Sequence, residues 1–227
     1  MAISKTSEII LGRVENIDSS HFNCCLSFSK ASDLVNGINV RLSNMAGGYP
    51  FSFEGVTWRD SETLYLCGEF SDSSDKHLSI QEEMNRQTSG FAAKRFVKNA
   101  DFANLLLQLP KDAIIIEDTT IQHCNTKEVW GCTNIELAAR RAEVKKETIK
   151  QVKADNPKIS KAALKRIVNI ETCKVSGIGT FVGQNNLGKI LMICRGCLVN
   201  GTEPPIDYAL LESKDIHILG KRISFIH

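Results

Sequence analysis

The sequence has no long run of apolar residues, and this absence excludes a membrane-spanning helix. A span needs about 20 predominantly apolar residues, and the chain has no run of even about 18. Near the N-terminus only Ile9-Ile10-Leu11 is apolar, and charged residues flank it. That cluster is too short for the apolar region of a secretory signal peptide. We therefore expect a cytoplasmic protein.

Paired metal-binding cysteine motifs are also lacking. The chain has eight cysteines, which would suggest disulfides only in a secreted protein. Cys194-Arg195-Gly196-Cys197 is a CxxC motif, but no second such pair completes a zinc ribbon. His123 with Cys124 and Cys132 has no usual ligand spacing. We expect reduced, mostly buried thiols and no metal site.

Nucleotide-binding fingerprints are absent in their usual form, since neither a Walker A nor a Rossmann spacing occurs. The segment Gly183 to Lys189 (GQNNLGK) nevertheless leads directly into the apolar run Ile190 to Ile193. Glycines at a helix start let the backbone approach a ligand, and free N–H groups there attract phosphate. One interpretation is a phosphate-binding turn, and the other is an ordinary helix start.

The charge of the chain is small overall but unevenly distributed. The net charge is +2, yet residues 138–168 contain ten basic and three acidic residues. The pattern predicts two helices broken at Asn156-Pro157. Basic residues that face phosphates release counterions and so favour nucleic-acid binding. The alternatives are a solvated helical hairpin or docking onto an acidic protein. The candidate nucleic-acid contacts are Arg140, Arg141, Lys145, Lys146, Lys165 and Arg166.

Elsewhere the patterns indicate a mixture of helices and strands. Helices are predicted at about 61–70 and across Phe102 to Leu109, which Pro110 ends. The strand predictions are 22–28, 51–53, 113–117, a β-like segment at 172–182, and two tail strands at 215–219 and 222–226. With 227 residues, the chain is long enough for one large domain.

The segment Trp58 to Glu62 places an indole, a guanidinium and two carboxylates in five consecutive residues. Asp60 or Ser61 is a good cap for the helix that follows. Glu62 then falls in the first turn, where the helix dipole favours its ionised form. A tryptophan beside such a carboxylate suits a flat ring with a sugar attached. The plainer alternative is a capped helix with a half-buried tryptophan.

Two further residue types have a possible chemical role. Trp58 and Trp130 are the only tryptophans, and both lie beside glycine and charge, where a ring can stack on a base or cover a core edge. Lys94 follows two alanines at a predicted helix start. Most lysines are solvated, but a lysine in an apolar pocket can become a nucleophile.

The order of the motifs, more than any single one, resembles the NADAR (YbiA-like) family. The resemblance covers roughly residues 40–131 and 180–196. The motifs that carry it are Leu42-Ser43-Asn44-Met45, Gly55 with Trp58 and Ser61-Glu62 leading to Tyr65, Ile80-Gln81-Glu82, Ser89-Gly90 with Ala93-Lys94, Ile115-Ile116-Glu117, Trp130-Gly131, and Gly183, Asn185, Leu187-Gly188 and Leu191-Met192.

The resemblance implies a fold and an activity. The expected fold is α+β, a mostly helical YbiA-like single domain over residues 1–227 with a small sheet, in which 133–173 is a basic helical insertion. The expected activity is that of an N-glycosidase that removes ADP-ribose from modified guanine bases of DNA and so opposes ADP-ribosylating toxins. Alternatives are a glycosidase for a free nucleotide such as a riboflavin-pathway intermediate, or a non-catalytic NAD or ADP-ribose-binding module. None of these requires a cofactor.

The resemblance also implies roles for individual residues. Glu62 is the catalytic or ribose-binding carboxylate, and Lys94 attacks an opened ribose to form a Schiff base. The implied ligand-binding residues are Asn44, Trp58, Glu117, Trp130, Gly131, Gly183, Asn185 and Gly188. The family usually has an aspartate two or three residues before the second tryptophan. Lys127 and Glu128 occupy those positions here, and Glu128 is the candidate replacement.

Overall fold

The computed structural model describes residues 9, 11–29, 33–35, 38–64, 99–120, 129–175, 179–204, 208–213, 216–218 and 221–224. The strands, in chain order, are β1 (Glu15–Asp18), β2 (Cys25–Phe28), β3 (Asp33–Val35), β4 (Ile38–Val40), β5 (Phe51–Phe53), β6 (Val56–Trp58), β7 (Ile114–Glu117), β8 (Cys132–Thr133), β9 (Thr180–Gly183), β10 (His217–Ile218) and β11 (Lys221–Arg222). The helices are α1 (Ala100–Gln108), α2 (Ile135–Asp155), α3 (Lys161–Lys174), α4 (Asn186–Asn200) and α5 (Tyr208–Ser213). A short 3₁₀ helix spans Ser19–His21, and residues 61–64 are helical.

The centre of the fold is a set of five strands that form two hydrogen-bonded sheets. One is a three-stranded antiparallel sheet in the order β1-β9-β8. The other is the parallel pair β2 and β7, in register at Leu26 and Ile115. A parallel bridge between Asp118 and Cys132 connects the end of β7 to β8. The mixture of helices and small sheets agrees with the α+β prediction at that coarse level.

Strand β7 is buried on both faces, as its apolar run predicts. Ile115 and Ile116 point to opposite sides of the strand, and both are 0% exposed. Continuous β-branched runs of this kind are typical of parallel strands that other elements cover on both sides. Helix α4 covers one side of β7 and also packs against α1. The main core therefore forms between β2, β7, α1 and α4.

A second apolar cluster holds the β5–β6 hairpin against the C-terminal hairpin. Glu54 and Gly55 have φ values of +51° and +73° and make the tight turn that the Glu-Gly pair predicts. The cluster combines Phe51, Phe53, Trp58 and Leu64 with Ile216, Ile218 and Ile223. A tail hairpin is present, but the second strand predicted over 222–226 is displaced: β11 is Lys221–Arg222, Ile223 and Ser224 lie outside it, and 225–226 lie outside the described residues.

The basic segment forms the predicted pair of helices, α2 and α3, which pack against each other. The break at Asn156-Pro157 is confirmed, and the side chains of Asn134 and Ser160 cap the two helix starts. The β-like prediction for 172–182 is wrong in its first part, because α3 continues to Lys174. Thr172 Oγ1 donates a hydrogen bond to Val168 O at 2.8 Å inside that helix.

The strand predicted over residues 22–28 is shorter than expected. The side chain of Asp18 accepts a hydrogen bond from Ser20 N and caps the Ser19–His21 turn, which ends at Phe22. Strand β2 therefore begins only at Cys25. Among the described residues, no helix combines the length and the apolar character that crossing a membrane requires.

Two glycines of α4 give a direct test of its close packing on β7. A side-chain carbon on Gly188 would lie 2.2 Å from Ile115 O, whereas one on Gly196 would meet nothing within 4 Å. We expect Gly188→Ala to lower the free energy of unfolding by roughly 2–3 kcal/mol, since the backbones must separate. Gly196→Ala should raise it by about 0.5–1 kcal/mol through helix propensity. Urea denaturation measures both variants, and equal effects would contradict the packing.

Candidate functional site

Three hydrogen bonds join Asn44, in the loop after β4, to the helix start at residue 61: two with Glu62 and one with Ser61. The Nδ2 group of Asn44 donates to the carboxylate of Glu62. In return Glu62 N donates to Asn44 O at 3.3 Å, and Ser61 Oγ donates to the same oxygen at 3.2 Å. The Glu62 carboxylate is half-buried. Its backbone and its side chain are thus both attached to Asn44, which fixes the direction in which the carboxylate points.

Asp60 is the cap of this helix start, which resolves the choice that the sequence left open. Its carboxylate accepts hydrogen bonds from Thr63 N and Thr63 Oγ1, both at 2.8 Å, and from Arg59 Nε at 2.7 Å. Burial alone would raise the pKa of Asp60, but the bonds from Thr63 and Arg59 outweigh it and lower the pKa below 3.8. Glu62 consequently lies in the first turn, close to the positive end of the helix dipole.

Trp58 belongs to the core and does not present a free face. Its side chain is 5% exposed, and its indole N–H donates to Phe53 O at 3.2 Å. The segment is thus a capped helix start beside a tryptophan that is buried, and not half-buried as the plainer interpretation expected. Trp130 is half-buried and contacts both main apolar clusters, so it is the more accessible of the two rings.

The start of α4 is covered by another segment of the chain. The N–H groups of Asn185, Asn186 and Leu187 donate to the carbonyl oxygens of Gly131, Val129 and Trp130, at 3.1, 3.4 and 3.0 Å respectively. A phosphate binds at a helix start through N–H groups that point to solvent. The expectation that this turn offers such free N–H groups is wrong for these three.

The side chain of Asn185 links α4 to β7. Asn185 is 0% exposed and has a left-handed backbone with φ of +49°. Its Oδ1 accepts from Glu117 N at 3.1 Å, and its Nδ2 donates to Ile115 O at 2.9 Å. Direct ligand contact would require these bonds to break. Asn185 is therefore a residue that positions Glu117.

The three glycines that the family resemblance assigns to ligand binding allow backbones to approach closely. A side-chain carbon would lie 2.5 Å from Glu117 O at Gly131 and 2.4 Å from Gly131 O at Gly183. At Gly188 it would clash with Ile115 O, as described above. The close contacts at these glycines are therefore structural. They bring Glu117, at the end of β7, beside residues 129–131.

Lys189 is a buried cation that the sequence did not single out. It is 2% exposed, its Nζ donates to Arg13 O at 2.9 Å, and it pairs with Glu15 at 3.1 Å. Only its place one residue after Gly188 would have drawn attention to it. Its contacts with Arg13 and Glu15 join the first turn of α4 to the start of β1.

Among the described residues, Cys132 and Cys194 are buried free thiols, whereas the free thiols Cys24, Cys25 and Cys197 are half-buried, so the thiols are less buried than expected. Burial raises the pKa of Cys132 and of Cys194 to about 12, and that of Cys25 to about 11. Thiols with such pKa values are protonated at neutral pH and are poor nucleophiles. Among the described residues, no group of three or more His, Cys, Asp or Glu side chains is arranged to hold a metal ion.

A small apolar cleft separates the Asn44 loop from α4. Asn44 and Ser61 line one side, and Leu187 and Leu191 of α4 line the other. The structure thus brings the Asn44–Glu62 pair close to the start of α4, as the order of motifs implied. Lys94 and Glu128 lie outside the described residues.

The basic hairpin, defined here as α2 and α3, exposes five of its six predicted contact residues: Arg140, Lys145, Lys146, Lys165 and Arg166. Arg141 differs from these five residues and from the prediction. Its guanidinium pairs with Asp118 at 2.9 Å and donates to Val175 O at 3.3 Å, and its side chain is only 12% exposed. It therefore anchors the hairpin to the end of β7 and does not face solvent.

Comparisons of this chain with family models, with curated proteins and with solved structures find no match.

The cap at Asp60 predicts a pH-dependent contribution to stability. Asp60→Ala should lower the free energy of unfolding by about 1–2 kcal/mol at pH 7, whereas Asp60→Asn keeps a capping oxygen and should lose less. Because the pKa in the folded state is below 3.8, the stabilisation is complete above that pH and is lost as the pH falls through the folded pKa. Chemical denaturation at pH 7 and at a series of pH values below 3.8 should show the difference between the wild type and the alanine variant shrinking as the pH falls. A constant difference would contradict the assignment.

The two neighbouring arginines of α2 should behave differently when altered. Arg141→Gln leaves Asp118, which is 2% exposed, without its cation, so we expect a loss of about 3–5 kcal/mol. Arg140→Gln removes the same charge from an exposed position and should change stability by less than about 0.5 kcal/mol. Thermal unfolding of the two variants measures the difference, and similar midpoints would show that the Arg141–Asp118 pair does not hold the hairpin.

Proposed function

We propose that this protein is an N-glycosidase that removes ADP-ribose from modified guanine bases of DNA. The observation that carries the proposal is the Asn44–Glu62 pair, in which the carboxylate of Glu62 is held in one direction by Asn44. The order of motifs that resembles the NADAR family supplies the substrate class.

The chemistry of the bond explains why an oriented carboxylate is useful. Cleavage of an N-glycosidic bond develops positive, oxocarbenium-like charge on the ribose, and a nearby anion stabilises that charge. The interaction is most effective when the anion does not have to reorient during the reaction. Glu62 meets this requirement because Asn44 holds both its carboxylate and its backbone. The products are DNA with an unmodified guanine and ADP-ribose: water supplies the hydroxyl group on ribose C1′ and the hydrogen on the guanine nitrogen.

The proposal also gives a role to Lys94, and this part of it rests on the sequence alone. By resemblance it attacks the opened ribose and forms a Schiff base. Such a nucleophile divides one difficult step into two easier ones. The Schiff base forms as the bond from ribose C1′ to the guanine nitrogen breaks, while a proton of the lysine amine passes to that nitrogen and Glu62 assists its departure. Water then hydrolyses the C=N bond and releases ADP-ribose and the free lysine.

The basic hairpin supports DNA as the carrier of the modified base. Its exposed cations can neutralise backbone phosphates without sequence preference. Its base is attached to Asp118 through Arg141, and Asp118 directly follows Glu117, the candidate site residue. Phosphates bound along the hairpin would therefore be held at a fixed distance from that part of the site.

The test is removal of ADP-ribose from a guanine-modified DNA oligonucleotide. We expect the wild type to release the adduct and Glu62→Gln to be at least about a hundredfold slower, since the amide cannot stabilise the developing charge. Glu54→Gln is the matched control, because Glu54 is an exposed glutamate in the β5–β6 turn, and it should retain the wild-type rate. Product ADP-ribose is measured by chromatography.

A parallel reaction with a free ADP-ribosylated guanine nucleoside tests whether the modified base must be part of DNA. A wild type that clears only the free nucleoside would contradict DNA as the substrate and favour the free-nucleotide alternative. A wild type that binds ADP-ribose but leaves both substrates intact would contradict the glycosidase proposal and favour a binding module.

A further inference from the structure

The loop at residues 46–50 (AGGYP) lies beside the Asn44–Glu62 pair and is firmly held at both ends. Ala46 is 0% exposed, and its N–H donates to Ser43 O at 2.9 Å. At the other end the Tyr49 ring packs on Phe102 with centroids 5.3 Å apart. Asn99 Nδ2 also donates to Pro50 O at 2.8 Å. The loop therefore has a defined shape and is not a loose connection.

Between these anchors the backbone is open to solvent. Gly47 and Gly48 are both exposed, and their N–H groups donate to no acceptor in the part of the chain that the structure describes. A side-chain carbon on Gly47 would meet nothing within 4 Å. Gly48 has φ of +91°, a conformation that a side chain rarely adopts. Successive N–H groups in turns of this kind form concave sites for anions.

Arg41 adds a cation to the same place. Its Nη1 lies 2.8 Å from the position that a side-chain carbon of Gly48 would occupy, so the guanidinium rests on the glycine. Arg41 is exposed, and no carboxylate of the described residues pairs with it. Arg59, also close in sequence to the site, differs because its Nε binds Asp60. The planar fork of an arginine matches the oxygen atoms of phosphate.

We infer that Arg41 and the N–H groups of Gly47 and Gly48 form a binding site for the diphosphate of a nucleoside diphosphate. We name this the anion site and define it by those three residues. It has the phosphate-binding role that the sequence predicted for the start of α4. The carbonyl oxygens of residues 129–131 occupy that helix start. Its identification as the diphosphate site for ADP-ribose rests on the function proposed above, but anion binding there can be measured without any turnover.

The experiment titrates the full chain with ADP by calorimetry at two salt concentrations. Arg41→Gln should weaken ADP binding by about tenfold to a hundredfold, the usual effect of losing a hydrogen bond to a charged group, and should reduce the salt dependence. Gly47→Ala should also weaken binding, because its methyl group has room in the free protein but projects toward the ligand. Lys111→Gln removes one exposed charge at the opposite end of β7 and should bind ADP as the wild type does.

Adenosine, which has no phosphate, separates anion binding from base binding. Its affinity should be the same for the wild type, Arg41→Gln and Gly47→Ala. Unchanged ADP affinity in Arg41→Gln, or no ADP binding by the wild type, would overturn the anion site.

Different experimental results would contradict the anion site and the glycosidase proposal. Adduct removal with an unaltered KM in Arg41→Gln would overturn the anion site and leave the activity standing. ADP binding that depends on Arg41, with no adduct removal by the wild type, would support the anion site and contradict the activity.

Discussion

The hydrogen bonds of the buried Asn185 side chain are the constraint on which the rest of the site depends. Asn185 has a left-handed backbone, and its amide bridges the backbone of β7 at Ile115 and Glu117. Its own N–H binds Gly131 O. Three separate parts of the chain therefore meet at one fully buried residue. An amide in such a place is costly unless all its partners are present, so this residue specifies one arrangement of β7, the 129–131 segment and α4.

Close backbone contact follows from this arrangement and explains the glycines. Once Asn185 has drawn α4 and the 129–131 segment onto β7, no space remains for side chains at Gly131, Gly183 or Gly188. The same contact directs the carbonyl oxygens of residues 129–131 at the first N–H groups of α4. A glycine-rich helix start that resembles a phosphate site is thus closed by its own fold. Under the proposed function, phosphate recognition then requires another part of the molecule, which is the physical reason for considering Arg41 and its loop.

Local chemistry determined which parts of the structure could be predicted from the sequence. The cap before Glu62, the end of α1 at Pro110 and the break at Asn156-Pro157 depend on residues within one turn of each other, and all three are present. The failures involve partners far away in the chain. Nothing near Arg141 indicates that its partner is Asp118, 23 residues earlier, and nothing near Asn185 indicates the carbonyl oxygens that cover the following N–H groups. Charge and glycine patterns show what a residue can bind, but tertiary contacts decide whether it is already bound.

The Arg141–Asp118 pair connects the basic hairpin, which is the proposed DNA-binding surface, to the end of the strand that carries Glu117. Helix α2 follows β8 directly, and the backbone N–H of its cap residue Asn134 donates a hydrogen bond to Thr120 Oγ1 at 2.9 Å. The basic hairpin is therefore attached to the end of β7 at two points, one a buried ion pair and the other a buried hydrogen bond. A hairpin held in this way cannot swing freely, so a duplex bound along it would approach from one direction. Because Glu117 lies one residue before Asp118, the hairpin is positioned relative to the same strand whose backbone Asn185 binds. Under the proposed function, this strand would therefore support both the approach of the DNA and the geometry of the site.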